Sequence, residues 1–149
     1  MTLDDRIWRR LKRKLASAKG SVVRVGVFQG SGGHPDSDIS MPELAAIHEF
    51  GAPQANIPER SFIRRTLAEK ETELKQIIEK LSGKLMTGRT SFDRALNILG
   101  TWAAAEIKKT ITESDIPPPL QQATIDAKGS SKPLVDTGRL LNSITHKVV

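Results

Sequence analysis

Apolar residues recur every fourth position at the start of the chain, and this spacing predicts an amphipathic helix over residues 3–18. Its stripe consists of Leu3, Ile7, Leu11 and Leu15, and the other faces are mostly basic, with Arg6, Arg9, Arg10, Lys12, Arg13 and Lys14. We interpret residues 1–20 as a packing helix with a solvated basic face. The alternative interpretation is a helix that binds nucleic acid or a membrane surface.

Valines alternate with Arg24 and Gly26 immediately afterwards, which predicts a strand over residues 22–28. The glycine-rich, polar segment 29–40 then has little to bury, and a mobile loop is expected there. Ser40 and Glu43 have the spacing of a capping box, so a helix should run through residue 49 and end where Gly51 adopts a left-handed conformation.

Two long helices are predicted in the middle of the chain, after a connection over residues 52–61 that contains Pro58. The first extends from Phe62 to about Leu81 and is broken over residues 83–90. The second is capped by Thr90 with Asp93 and continues to Ile111. Gly100 and the alanines after it have small side chains, which should permit close approach of another helix to the second helix. We expect the two helices to form the core hairpin.

The C-terminal stretch 132–149 contains a helix start and a final strand. Asp136 and Thr137 can each offer a side-chain oxygen to a short helix beginning near Gly138, with Leu140, Leu141 and Ile144 on one side. Val148 and Val149 suit a strand. The proline-rich segment 114–133 before this stretch should be a long, extended connection, and loops of that length are often interaction surfaces.

Composition narrows the possible functions. The chain has 149 residues, no cysteine and a net charge of +6, which fits one domain over residues 1–149 without disulfides, thiolate metal sites or a thiol nucleophile. No apolar run is long enough for a signal core or a membrane span, so we expect a soluble protein made inside the cell, with no membrane partner. The positive charge favours contact with a polyanion, but the chain has only six aromatic residues and no tyrosine, so we expect no base-stacking platform.

Three catalytic or ligand-binding interpretations can be considered. Asp136-Thr137-Gly138 has the order of an aspartic protease loop, but only eleven residues follow Gly138, too few for that fold. His48 beside Glu49 could bind a metal, yet a helical zinc site needs a second histidine four residues away, where Ala52 stands. The glycines at 30, 32 and 33 lack the residues of a nucleotide-binding loop. We therefore expect no enzyme, metal or cofactor.

Four motifs occur in order along the chain: Val-Gly-Val-Phe at 25–28, Leu-Ala-Ala-Ile-His-Glu-Phe-Gly at 44–51, Ile-Pro-Glu-Arg-Ser-Phe-Ile at 57–63, and Lys-Gly-Ser-Ser-Lys-Pro-Leu-Val-Asp-Thr-Gly-Arg-Leu-Leu-Asn-Ser-Ile at 128–144. Together they resemble the tail-completion or head–tail joining proteins of tailed bacteriophages, the family of the lambda minor tail protein Z. The resemblance extends over residues 22–149.

This resemblance implies a non-enzymatic virion protein that assembles as a homo-oligomeric ring at the neck and is present in the host cytoplasm during assembly. Its partners would be other neck and tail proteins: the tail tube, the tail terminator and the head connector. The implied fold is α+β, with a small antiparallel sheet, which includes strand 22–28 and the C-terminal strand, packed on the two long helices. The amphipathic helix and the long loops complete it.

Positive charge is concentrated at the start of the first long helix. Arg60, Arg64 and Arg65 lie where cations oppose the helix dipole, so the sequence predicts that they meet an acidic neighbour or DNA in the channel. Arg9 and Arg13 of the N-terminal helix are the other candidates. The competing hypothesis is a stand-alone nucleic-acid-binding protein that uses this basic helix.

Overall fold

A computed structural model describes residues 9, 12, 13, 16, 20–32, 38–113, 116–119 and 138–149. The fold is α+β, as predicted. In chain order the elements are strand β1 (Val23–Val27), helix α1 (Met41–Phe50), a short 3-10 helix (Pro53–Ala55), helices α2 (Phe62–Glu69), α3 (Glu71–Met86), α4 (Phe92–Glu113) and α5 (Arg139–Ser143), and strand β2 (Ile144–Val148). In the N-terminal stretch, the described residues 9, 12, 13 and 16 are helical, as expected.

The sheet joins segments from opposite ends of the chain. β1 and β2 pair antiparallel, with Val23 opposite Val148 and Val27 opposite Ile144. Val22 and Val149 extend the ladder by exchanging N–H···O bonds of 2.7 and 2.9 Å. Both predicted strands are confirmed, but Ile144 was wrongly assigned to the short helix. It is the first residue of β2, and its fully buried side chain packs in the core from there.

Helix α4 is the central element, and it packs against the sheet and α2. The main core forms where α4 meets α1, α2 and the C-terminal elements; its buried members are Ala45, Phe62, Ala104, Ile107, Ile111, Ile116, Leu140 and Ile144. The predicted hairpin of the helices over 62–81 and 90–111 contributes to the core through α2, whose Phe62 packs with α4. The α3–α4 part of the hairpin lies outside the main core. Its shared surface is a small apolar groove, and Ile78 and Met86 of α3 remain exposed.

Gly100 allows α4 to approach the sheet closely. A Cβ built at Gly100 would lie 2.5 Å from His146 Cδ2 and 2.7 Å from Val23 Cγ2, distances that real Cβ atoms do not reach. His146 Nε2 is also 3.1 Å from Asn97 Oδ1, one turn earlier on α4. Gly100 was predicted to admit another helix; the element that it admits is the sheet.

Alanine at Gly100 is expected to lower the free energy of unfolding, although alanine normally favours a helix interior. The added methyl group must displace His146 and Val23, and overpacking of this kind costs about 1–3 kcal/mol. Gly83 in α3 is the matched control, because a Cβ there meets no atom within 4 Å. Gly83→Ala should instead stabilise the protein by about 1 kcal/mol through helix propensity alone. Urea unfolding of both variants checks the opposite signs; a stabilised Gly100→Ala protein would contradict the packing.

The predicted long helix over residues 62–81 is wrong as a single element. It is interrupted at Lys70, where φ is −99° and ψ is 11°, between α2 and α3. Residues 69–73 are four charged side chains and a threonine, so no apolar burial holds this turn in place. Lys70 Nζ lies 2.8 Å from Glu73 and 3.5 Å from Glu106 of α4, which ties the junction to the central helix.

The ends of α3 and α4 also differ from the prediction. α3 continues through Gly83, in helical geometry, and stops before Gly88, whose φ of 75° favours glycine. The N-cap of α4 is not Thr90. Ser91 Oγ accepts the backbone N–H of Arg94 at 3.2 Å, so the cap lies one residue later in the chain.

Helix α1 begins with the predicted capping box. Ser40 Oγ accepts the N–H of Glu43, and the Glu43 carboxylate accepts the backbone N–H and the hydroxyl of Ser40 at 2.9 and 2.6 Å. The hydroxyl, followed by the backbone N–H, lowers the pKa of Glu43 from its ordinary value of 4.5. The ionised carboxylate therefore contributes stability above pH 4.5, and this contribution is lost as acid protonates Glu43.

Ser40→Ala should lower the free energy of unfolding by about 1 kcal/mol at pH 7, because one helix N–H loses its cap and Glu43 loses a hydroxyl donor. The deficit should shrink as the pH falls through the lowered pKa of Glu43, since the wild-type box is then also weakened. Chemical unfolding at a series of pH values measures this. Ser40→Thr, which keeps the hydroxyl, is the control; equal losses in both variants would contradict the role of the cap.

Several predictions fall outside the described residues. These are the central part of the 29–40 loop, most of the 114–133 connection, and the proposed caps Asp136 and Thr137. Gly138 is described, and with φ 69° and ψ 0° it directly precedes α5, so the helix begins where expected. Within the described ranges, none of the helices has the length and apolar character that a membrane span requires.

Candidate interaction surface

The connection between α1 and α2 is a closed turn that returns the chain to the end of α1. Gly51 leaves the helix with φ 74° and ψ 169°, and Ala52 and Ile57 exchange backbone hydrogen bonds of 2.9 and 3.1 Å across the short 3-10 helix. Pro58 follows, and the Arg60 N–H then donates to the His48 carbonyl oxygen at 2.7 Å. The turn thereby places residues 58–60 against the last turn of α1.

Gly51 is the tightest point of this turn. A Cβ at position 51 would lie 2.8 Å from the backbone nitrogen of Glu59 and 3.1 Å from the carbonyl oxygen of Ile57. Both neighbours are backbone atoms, which cannot rotate away as a side chain can. The glycine predicted from the sequence as a helix terminator thus also permits the crossing of two chain segments.

Glu49 connects α1 to α2 through a buried carboxylate. The residue is 4% exposed, and its two oxygens accept the N–H groups of Ile63 at 2.8 Å and Arg64 at 3.0 Å. Ser61, the residue before α2, makes no side-chain capping bond. Glu49 therefore caps α2 from another helix, and its negative charge interacts favourably with the positive N-terminal end of the α2 dipole.

Arg64 is held by two carboxylates and an aromatic ring. Its Nε donates to Glu49 Oε1 at 3.0 Å, and its Nη2 donates to the Glu49 carbonyl oxygen at 2.7 Å and to Glu59 Oε1 at 2.9 Å. The guanidinium carbon lies 4.8 Å from the centre of the Phe50 ring. The hydrogen bond to Glu49, more than any other contact, raises the pKa of Arg64. Its charge is thus matched within the chain.

Arg65 and Arg60 have different surroundings. Arg65 Nε donates to Glu69 at 2.7 Å, one turn along α2. Arg60 is only 7% exposed, and its Nε donates to the Pro118 carbonyl oxygen at 3.2 Å. Burial lowers the pKa of Arg60. No carboxylate of the described residues lies within 4 Å of its guanidinium.

We call this cluster the arginine corner and define it as Glu49, Phe50, Glu59, Arg60, Arg64 and Pro117–Pro119. Phe50 is 64% exposed, and the three prolines are exposed. The corner contains two of the five candidate arginines. Arg9 and Arg13 occupy exposed helical positions elsewhere, where Arg13 Nε lies 3.4 Å from the Arg9 carbonyl oxygen. In the described part of the chain, neither makes a hydrogen bond or ion pair with the corner.

The next residues are those that the sequence offered for metal or nucleotide binding, His48 with Glu49 and the glycines after β1. The Glu49 carboxylate beside His48 is engaged by α2, and no group of three potential metal ligands occurs among the described residues. Gly32 lines an open cleft of about 450 Å³ with Ser31, Met41 and Arg139.

Sequence reasoning missed three members of the corner: Glu49 as a cap, Phe50 as an exposed ring, and Pro118 as the acceptor of Arg60. The sequence motifs that contain Glu49 and Arg60 are separate segments, and only the turn between them brings them into contact. Comparisons of the chain with protein families, curated proteins and solved structures found no match.

Proposed function

We propose that this protein is a non-enzymatic virion structural protein that completes the tail of a tailed bacteriophage and joins it to the head connector, as a homo-oligomeric ring. The order of the four motifs along the chain supports this assignment. Its partners would be the tail tube, the tail terminator and the head connector, with DNA passing through the ring.

The observation that carries the proposal is the use of the motif residues in the arginine corner. Glu49 of the second motif caps the helix that starts in the third, Gly51 permits the crossing, and Arg60 of the third bonds back to His48 of the second. The motifs therefore build a fixed turn with an exposed aromatic ring and exposed prolines. Such an arrangement suits a docking surface. Its polar groups bond to one another and fix the turn, while the aromatic ring and the prolines stay exposed for contact with a partner.

Deletion of the gene from its parent phage or prophage, followed by negative-stain electron microscopy, tests this role. Filled heads and complete but unjoined tails are expected, and the wild-type gene supplied in trans should restore joined virions. Complementation with the Gly83→Ala variant, which changes an exposed helix position, should restore them equally well. Normally joined virions from the deletion strain would reject the joining role.

A stand-alone nucleic-acid-binding protein is the second candidate, and the exposed helical positions of Arg9 and Arg13 favour it. Binding to duplex DNA through this helix should weaken steeply with salt, because each neutralised phosphate releases counterions. Replacing both arginines by glutamine should reduce the salt slope by about two, roughly one for each lost phosphate contact. The absence of duplex binding near physiological salt would remove this candidate.

A further inference from the structure

Among the arginines of α2 and of the turn before it, the more exposed ones are paired with carboxylates and the nearly buried one is not. Arg64 and Arg65 have side chains 53% and 33% exposed, and each is paired with a carboxylate of the chain. Arg60 is nearly buried, and in the described part of the structure its only hydrogen-bond acceptor is the Pro118 carbonyl oxygen. The arginine that most needs a counter-charge thus has none among the described residues.

A guanidinium has five N–H donors, and within the described ranges Arg60 uses one of them. Arginine does not lose its proton in proteins, so the charge cannot be removed by titration. A buried charge without a partner is costly, whereas a carboxylate can bind the guanidinium fork through two parallel hydrogen bonds. Burial lowers the pKa of Arg60.

We propose that Arg60 is the receptor for a carboxylate side chain of a partner protein, which docks over the exposed prolines Pro117–Pro119. The partner supplies the counter-charge that the described residues do not. Its segment carries an aspartate or glutamate for the guanidinium fork and an apolar side chain for the surface of Phe50 and the prolines.

The surroundings favour a protein carboxylate over a DNA phosphate. Arg60 is only 7% exposed, so a single side chain reaches its guanidinium more readily than a nucleic-acid backbone does. The exposed Phe50 ring and the three prolines add apolar area, which a protein segment can bury.

The first test uses the isolated protein and sodium acetate as the probe. Acetate replaces chloride at constant ionic strength while the arginine Nε–Hε resonances are followed by ¹⁵N NMR. The Arg60 resonance should shift in a saturable way and several-fold more than that of Arg65, whose Nε already bonds to Glu69. Arg60→Lys, checked by its unfolding temperature, assigns the signal. An unchanged Arg60 resonance, or a uniform shift of all arginines, would overturn the proposal.

The same resonance decides whether the counter-charge belongs to this chain. The acidic residues outside the described ranges are Asp4, Asp5, Asp36, Asp115, Asp126 and Asp136, and each can be replaced by asparagine. An Arg60 resonance that is unaltered in all six variants is expected. A displaced resonance in any of them would assign the carboxylate to the chain itself and overturn the partner role.

The partner protein itself can be identified genetically, a step that rests on the proposed function. Phage carrying Arg60→Glu should be defective in assembly, and selection for suppressors should give acid-to-base changes in a second virion gene. Suppressors confined to this gene would overturn the assignment to a partner. If deletion of the gene is lethal, full infectivity of the Arg60→Glu phage would also overturn the assignment to a partner. If deletion is harmless, the proposed function fails instead. The acetate titration still decides the carboxylate site in that case.

Discussion

Replacing Gly51 by alanine is expected to lower the free energy of unfolding by about 4 kcal/mol, a large fraction of the stability of a typical domain. A φ of 74° with an extended ψ strains any residue with a Cβ by about 1–3 kcal/mol. The remainder comes from the Glu59 nitrogen 2.8 Å away, which can yield only if the turn opens. Urea unfolding followed by circular dichroism measures the loss.

Gly30 separates the two contributions to this effect. It has a similar φ of 87°, but a Cβ there would meet no atom within 4 Å. Gly30→Ala should therefore show the strain alone, about 1 kcal/mol. If the Gly51→Ala and Gly30→Ala variants lost equal stability, the close crossing of the two chain segments at Gly51 would be contradicted.

Glu49→Ala is expected to lower the free energy of unfolding by about 3 kcal/mol, because two N–H groups at the start of α2 lose a charged acceptor in a buried position. Glu49→Gln keeps one acceptor oxygen and should lose roughly half as much. Arg64 should also become less ordered in both variants. Hydrogen exchange should then be faster at the backbone amides in the first turn of α2.

The control for Glu49 is its neighbour in the same network. Glu59 accepts from Arg64 at 2.9 Å, but its side chain is 54% exposed, so Glu59→Ala should change stability by less than about 0.5 kcal/mol. A Glu49→Ala variant as stable as Glu59→Ala would show that the backbone bonds to α2 contribute little, and that the two helices are coupled by packing alone.

Local patterns were enough to predict the features that depend on neighbours in sequence. The capping box of Ser40 and Glu43, the alternation in β1 and the glycine after α1 all depend on spacings of a few residues, and all three are present. The errors at Lys70 and Ile144 are also local, but tertiary contacts decided them, whereas the error at Thr90 is a shift of the cap by one residue to Ser91. Ile144, for example, continues a helical spacing, yet pairing with Val27 makes it a strand residue.

The arginine corner could be predicted only in part. Arg60, Arg64 and Arg65 were recognised because cations at a helix start are unfavourable. That inference did not take into account the Glu49 carboxylate, which belongs to another helix and compensates the positive end of the α2 dipole. Nothing in the periodicity distinguishes Arg60, which becomes buried, from Arg64, which stays exposed. That difference arises from the turn at Gly51 and from Pro118, far along the chain.

The pairing of β1 with β2 has a consequence for the order of folding. Helices α1 to α4 can assemble from contacts that are closer in sequence, whereas the two strands must close a loop that contains most of the chain. Because the entropy of loop closure must be overcome before the ladder forms, the sheet should be the last element to appear in refolding. Until then, the face of α4 around Gly100 has no cover, so a chain slowed at this step would expose its central helix to aggregation.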